Sequence, residues 1–161
     1  MKKAAVCLAV TLAVSTFAGC SETSNTNTEP VPTAAASENA NKANTNVEEL
    51  GVLINVPYES DEASWKEDKA HKKVIAVLRF NEAEARRLVD DASKIAAPQN
   101  AEISAETWFP PELIAQSGIS GEDNLTGKAY PANAFFQDPY NSGRITRIEN
   151  TDYFVLELTA K

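Results

Sequence analysis

Hydrophobic and polar positions divide the chain into three regimes. Residues 4–17 are largely apolar, residues 21–46 are largely polar, and from Glu48 onward the two kinds alternate at the spacings of regular structure. In the third regime, Leu50-Gly51-Val52-Leu53-Ile54-Asn55-Val56 is a short β-rich run stopped by Pro57, which predicts a first strand. Tyr58 to Ala70 is charged and ambiguous. Lys73 to Phe80 is apolar on both faces and predicts a central strand. Asn81 then suits a helix N-cap, with Glu84 three residues on as the reciprocal acid. Ala85, Leu88, Val89, Ala92 and Ile95 share one stripe, while Arg86, Arg87, Asp90 and Asp91 lie elsewhere. That pattern predicts an amphipathic helix over about 82–96, stopped before Pro98.

Beyond it, Ala101 to Phe109 reads as a strand with Ile103 and Ala105 on one face. Pro110-Pro111 opens a short helix, Glu112 to Gln116, ended by Gly118. Ile119 to Lys128 reads as a polar loop, and Ala129 to Gln137, with Tyr130, Phe135 and Phe136, as extended. Asp138-Pro139-Tyr140-Asn141-Ser142-Gly143 is a turn signal. Arg144 to Glu149 and Tyr153 to Leu158 alternate around Asn150-Thr151-Asp152 as a hairpin. The expected fold is α+β: a mostly antiparallel sheet, one main amphipathic helix packed on one face, and a C-terminal hairpin. No internal repeat is visible.

The first two regimes explain where this domain works. Lys2 and Lys3 precede an apolar run of about 14 residues, short of the roughly 20 that a membrane-spanning helix needs and right for a signal-peptide core. The run ends in Phe17-Ala18-Gly19-Cys20, which resembles the lipobox of bacterial lipoproteins: an apolar residue, two small residues, then Cys. The resemblance implies a diacylglyceryl group on the Cys20 sulfur, cleavage between Gly19 and Cys20, and acylation of the new amino terminus. Phe17 departs from the usual Leu. An ordinary signal peptide cut near Ser15-Thr16-Phe17-Ala18 is the competing reading. Two or three acyl chains hold a protein on a bilayer stably where one does not. Ser21, not Asp, follows the cysteine, which by resemblance to Gram-negative sorting implies the outer membrane, facing the periplasm. Ser21 to Asn46 holds Val31 as its only bulky aliphatic residue, so it reads as a flexible tether with a reach of about 30 Å. The expected organisation is 1–19 export signal, 20–46 lipidated Cys and tether, 47–161 one domain.

Composition narrows the function classes. After residue 19 there are 13 basic and 23 acidic residues, a net charge of −10. Such a surface disfavours nucleic acid and suits solubility or a basic partner. The two cysteines are Cys7 and Cys20, so the mature chain has one thiol in an oxidising compartment, and lipidation caps it. His71 is the only histidine, beside Lys72 and Lys73, and reads as a surface residue. With no second His or Cys in the domain and no acidic loop of Ca²⁺ spacing, neither a metal nor a cofactor is expected. Gly118-Ile119-Ser120-Gly121 approaches a nucleophile elbow but its second glycine is one residue early.

No catalytic residue is therefore assigned. Trp108, Phe109, Tyr130 and Tyr140 are the candidate partner-binding residues, because aromatics beside Pro in a loop make interaction anchors; the alternative is that they fill the far end of the core. The leading expectation is a lipid-anchored, non-catalytic binding module for a protein or envelope partner, inhibitor-like if that partner is basic. A structural or assembly accessory of an envelope complex and a small periplasmic hydrolase are the alternatives.

Overall fold

The computed structural model describes residues 42–120 and 123–161. The export segment, Cys20 and the tether as far as residue 41 lie outside the described residues. The folded chain starts before residue 47. Asn44 and Trp65 exchange backbone hydrogen bonds of 2.9 and 2.8 Å, and the Trp65 indole donates to the Asn46 carbonyl at 3.0 Å.

Leu50 to Val56 is not a strand. Helix α1 spans Val47–Leu53 because the Asn46 side chain accepts from the amides of Glu48 and Glu49, at 2.9 and 3.2 Å. Those two acids also sit favourably at the positive helix end. Leu50 and Ile54, four apart, are both fully buried, while Val52 is exposed. One apolar stripe at helical spacing therefore overrides the β-rich composition.

Strands β1 (Glu62–Asp68) and β2 (Lys73–Arg79) follow as an antiparallel pair. In β1, Ala63 and Trp65 turn inward between exposed or half-exposed neighbours, so the ambiguous charged stretch is a strand on alternation. Helix α2 (Glu82–Ser93) is capped by the Asn81 side chain, which accepts from the Glu84 amide at 3.0 Å. Glu84 itself pairs with Arg87 instead of closing the box. The helix ends earlier than its pattern suggests: the amides of Ile95 and Ala96 both reach Ala92, and Ile95 is 55 % exposed.

Then come β3 (Gln99–Ser104), helix α3 (Pro111–Ser120) and β4 (Asn124–Pro131). α3 runs past Gly118, since an exposed glycine weakens a helix by only about 1 kcal/mol and buried Leu113 and Ser117 hold it. Much of the expected loop 119–128 is thus the end of α3 and the start of β4. Asn133–Phe135 forms a 3₁₀ turn where an extended segment was expected. β5 (Tyr140–Ile148) and β6 (Tyr153–Ala160) form the C-terminal hairpin. Asn150 takes the left-handed φ of 58° in its turn, and Thr151 Oγ1 ties the turn by donating to Ile148 and accepting from Tyr153.

The result is α+β: one six-stranded, wholly antiparallel sheet in the order β1-β2-β6-β5-β4-β3. Period-two alternation splits β2 and β6 between two cores. Val74, Ala76, Leu78, Phe154, Leu156 and Leu158 meet α1, α2 and the 3₁₀ turn on the first face. Val77, Val155, Ile148 and Leu125 meet Phe109 and, from α3, Leu113 on the second. The main helix packs as its stripe predicts; on the opposite face α3, Pro111–Ser120, is twice the length of the short helix 112–116 that the sequence predicts, which is what lets it cover a core of its own.

Thr146 is a misfit. It is fully buried on the second face, and its hydroxyl has no hydrogen-bond partner among the described residues. Replacing Thr146 with Val is expected to raise stability by about 1 kcal/mol, read as a higher urea midpoint at unchanged slope. A lower midpoint counts against this reading.

Candidate functional site: a charged cleft on the second face of the sheet

The sheet divides the four aromatic residues expected to mark a partner surface. Tyr130 and Tyr140 belong to the first-face core and are 8 % and 4 % exposed. Burial, and the Glu67 carboxylate that accepts from its hydroxyl at 2.7 Å, push the Tyr140 phenol up to about 12. Phe109 lies in the second-face core at 4 %. Only Trp108 keeps part of its ring accessible. A single aromatic patch from 108 to 140 does not exist, because β4 carries the chain from one side of the sheet to the other by alternation.

Trp108 instead stands next to a cleft, in contact with Glu106 and Phe109 of its lining. Four steps separate β2 from β3 in the sheet, and the right-handed twist of about 20–25° per step accumulates across them. Residues 102–104 of β3, the following Glu106 and Phe109, Lys73 and Ile75 of β2, and Arg144 and Glu157 together line a groove of about 310 Å³. α3 covers the neighbouring part of the same face.

Charge lines the floor. Glu157 accepts from Lys73 Nζ at 3.1 Å through Oε1 and from Arg144 Nε at 2.8 Å through Oε2. Burial works to raise the Glu157 pKa, but hydrogen bonds from Arg144 and Lys73, and their charges, outweigh it and hold the carboxyl below the ordinary carboxylate range. A depressed pKa means that the ion-pair cluster contributes stability above the unfolded-state value, near 4.5, and loses it as pH falls through the lower folded value. Stability should therefore be flat near neutrality and fall on acidification below about pH 4.5. Glu157→Gln is expected to remove that part of the acid slope in pH-dependent urea titrations; an unchanged slope would show that the cluster does not titrate as a unit.

Arg144 is 48 % exposed along its side chain and bonds through Nε alone. Its two terminal amino groups have no acceptor among the described residues. Across the groove Glu106 is exposed, and its Oε2 accepts from the Trp108 indole at 2.6 Å. That bond and an edge-on contact with Phe109, centroids 4.7 Å apart, fix the indole, with Lys66 Nζ 5.7 Å from the ring. A second depression of about 530 Å³ lies along β3 and β4. Lys128 donates there to Asn100 and Thr126 to Glu149, Glu102 also lines it, and no aromatic residue is on its lining.

Lys73, Arg144 and Glu157 were not singled out in the sequence, although a signal was there. Glu157 follows Tyr153, Phe154, Val155 and Leu156 in register with core-facing Val155. A carboxylate on an inward row needs a cation beside it, and Arg144 is its cross-strand partner. His71 is exposed, as expected, and pairs with Asp68 at 2.6 Å in the β1–β2 turn. Of the elbow-like segment, Gly118 lies inside α3, and Gly121 falls outside the described residues. No group of three or more His, Cys, Asp or Glu side chains is placed to hold a metal ion among the described residues. No helix among them is long and apolar enough to cross a membrane. No family model, no curated protein and no solved structure matches the chain.

Proposed function

We propose that this protein is a lipid-anchored component of the cell envelope whose α+β domain is a non-catalytic binding module for a protein or envelope partner. The anchor reading rests on Phe17-Ala18-Gly19-Cys20 behind a charged start and an apolar run; Ser21 favours the outer membrane. The observation that carries the binding reading is the cleft: Arg144 with open terminal amino groups and Lys73 on one side, the Glu106 carboxylate on the other, and beside them a half-buried Trp108 fixed by Glu106 and Phe109. Pre-positioned charges beside a rigid aromatic ring are what recognition uses, because little side-chain freedom remains to be lost on binding. The surrounding negative surface raises the local concentration of basic partners.

Two arms test the proposal. In membrane fractionation, Cys20→Ser is expected to move the protein to the soluble fraction or leave an uncleaved precursor. A processed form that stays on the membrane refutes the anchor. In the anchored wild-type background, a photo-crosslinking amino acid at Ser104, inside the cleft, is expected to capture a defined partner, whereas one at Lys128 is not. Equal labelling from both positions, or none, refutes the cleft as the binding site.

A further inference from the structure

The walls of the cleft carry opposite charges, and we propose that it binds a small zwitterion: an amino acid or dipeptide with a free ammonium and a free carboxylate. This deepens the reading of the cleft as the binding site and rests on it. Size is the first consideration. About 310 Å³ lies at the small end of ligand pockets and suits one or two amino-acid residues better than a folded surface.

Charge then selects the ligand. Arg144 is held by its Nε bond to Glu157, which orients the guanidinium and leaves its two terminal amino groups to donate to a carboxylate end-on. Lys73, on the other oxygen of Glu157, adds a second positive charge beside that position. Facing them, Glu106 offers a carboxylate oxygen to an ammonium, since it keeps Oε1 for this while Oε2 holds Trp108. Ile75 and Phe109 border the same groove and give a side chain an apolar strip.

A simple anion would meet Glu106 and Glu157 in a chain of net charge −8. A simple cation would meet Lys73 and Arg144. A ligand carrying both charges meets neither repulsion alone and satisfies both walls, which is how a charged cleft gains specificity beyond affinity.

The test is a titration of the ¹⁵N-labelled full chain with the dipeptide Ala-Ala, followed by NMR and calorimetry. Binding is expected with a dissociation constant of about 1 mM or lower, with amide shifts at Ile75, Ser104 and Arg144. N-acetyl-Ala-Ala and Ala-Ala amide should each bind at least about tenfold more weakly, as should the Arg144→Gln and Glu106→Gln variants. Gln at position 106 still accepts from the Trp108 indole, so that variant separates lost recognition from a displaced Trp108. Lys128→Gln, in the other depression, should bind as wild type.

Equal binding of the capped peptides, shifts confined outside the cleft, or no binding in the millimolar range overturns the zwitterion. If Ala-Ala fails while the crosslinker at Ser104 still captures a partner, the zwitterion falls and the binding-module reading stands. If both fail, both fall.

Discussion

Replacing Gly143 with alanine is expected to destabilise the domain by about 3–5 kcal/mol, measured as a fall in the urea midpoint. Gly143 lies in β5 opposite Leu158, just past the register shift between Tyr140 and Ser142. Its φ is +150°, a region that residues with a Cβ rarely adopt. A Cβ there would also fall inside the contact radius of the Glu157 carbonyl oxygen and 2.9 Å from Leu158 Cα. Both are backbone atoms in the neighbouring strand, so nothing can rotate aside; the β5–β6 ladder must separate or β5 must re-bend. Against a typical total stability of about 5–15 kcal/mol, a loss of this size leaves a marginal protein. It would also disturb Glu157, and with it the cleft floor. Gly51→Ala provides the control. Gly51 is exposed in α1 with nothing within 4 Å of an added Cβ, so alanine should raise stability by about 0.5–1 kcal/mol. If the two variants shift the midpoint alike, the close-approach account of Gly143 is wrong.

The second large effect is expected at Phe154. Its ring is fully buried on the first face, edge-on to Phe80 with centroids 5.4 Å apart and beneath the Arg147 guanidinium at 5.8 Å. β6 has a strand on either side, with Leu78 and Arg147 as the cross-strand partners of Phe154. Such a site has little freedom to collapse around a void, so Phe154→Ala should cost about 4–5 kcal/mol, near the top of the usual range for large-to-small core changes. Trp108→Ala, beside the cleft, should cost about 1–2 kcal/mol, because part of its ring is already in water. Denaturant titration of both variants orders them. Equal losses would mean that Trp108 is a core residue after all and not a half-buried ring beside the cleft.

Where the sequence was legible, one local cause dominated. Lys73 to Phe80 is apolar at every other position on both sides, and it lies between β1 and β6. Asn81 and the stripe Ala85, Leu88, Ala92 specify α2 through a cap and a period that need no other part of the chain. The Asn150–Asp152 turn closes its hairpin through its own backbone and Thr151. Where two local signals competed, composition misled. The run from Leu50 to Val56 is rich in β-branched residues, yet Asn46 and Glu49 three residues later carried the capping signal that tertiary burial of Leu50 and Ile54 made decisive.

By itself the sequence determined the α+β class, the main helix, the central strand, the C-terminal hairpin and the absence of any cysteine after Cys20 that could form a disulfide. These follow from patterns within ten or so consecutive residues. Only the tertiary structure decided that Trp108 and Tyr140 lie on opposite faces, that α3 covers the second face, and that Lys73, Arg144 and Glu157 meet. Lys73 and Glu157 are brought together by the register of β2 on β6, 84 residues apart in sequence, and residues 102–104 of β3 line the same groove from the far edge of the sheet. The candidate site depends on sheet order and accumulated twist, which no local pattern of residues encodes.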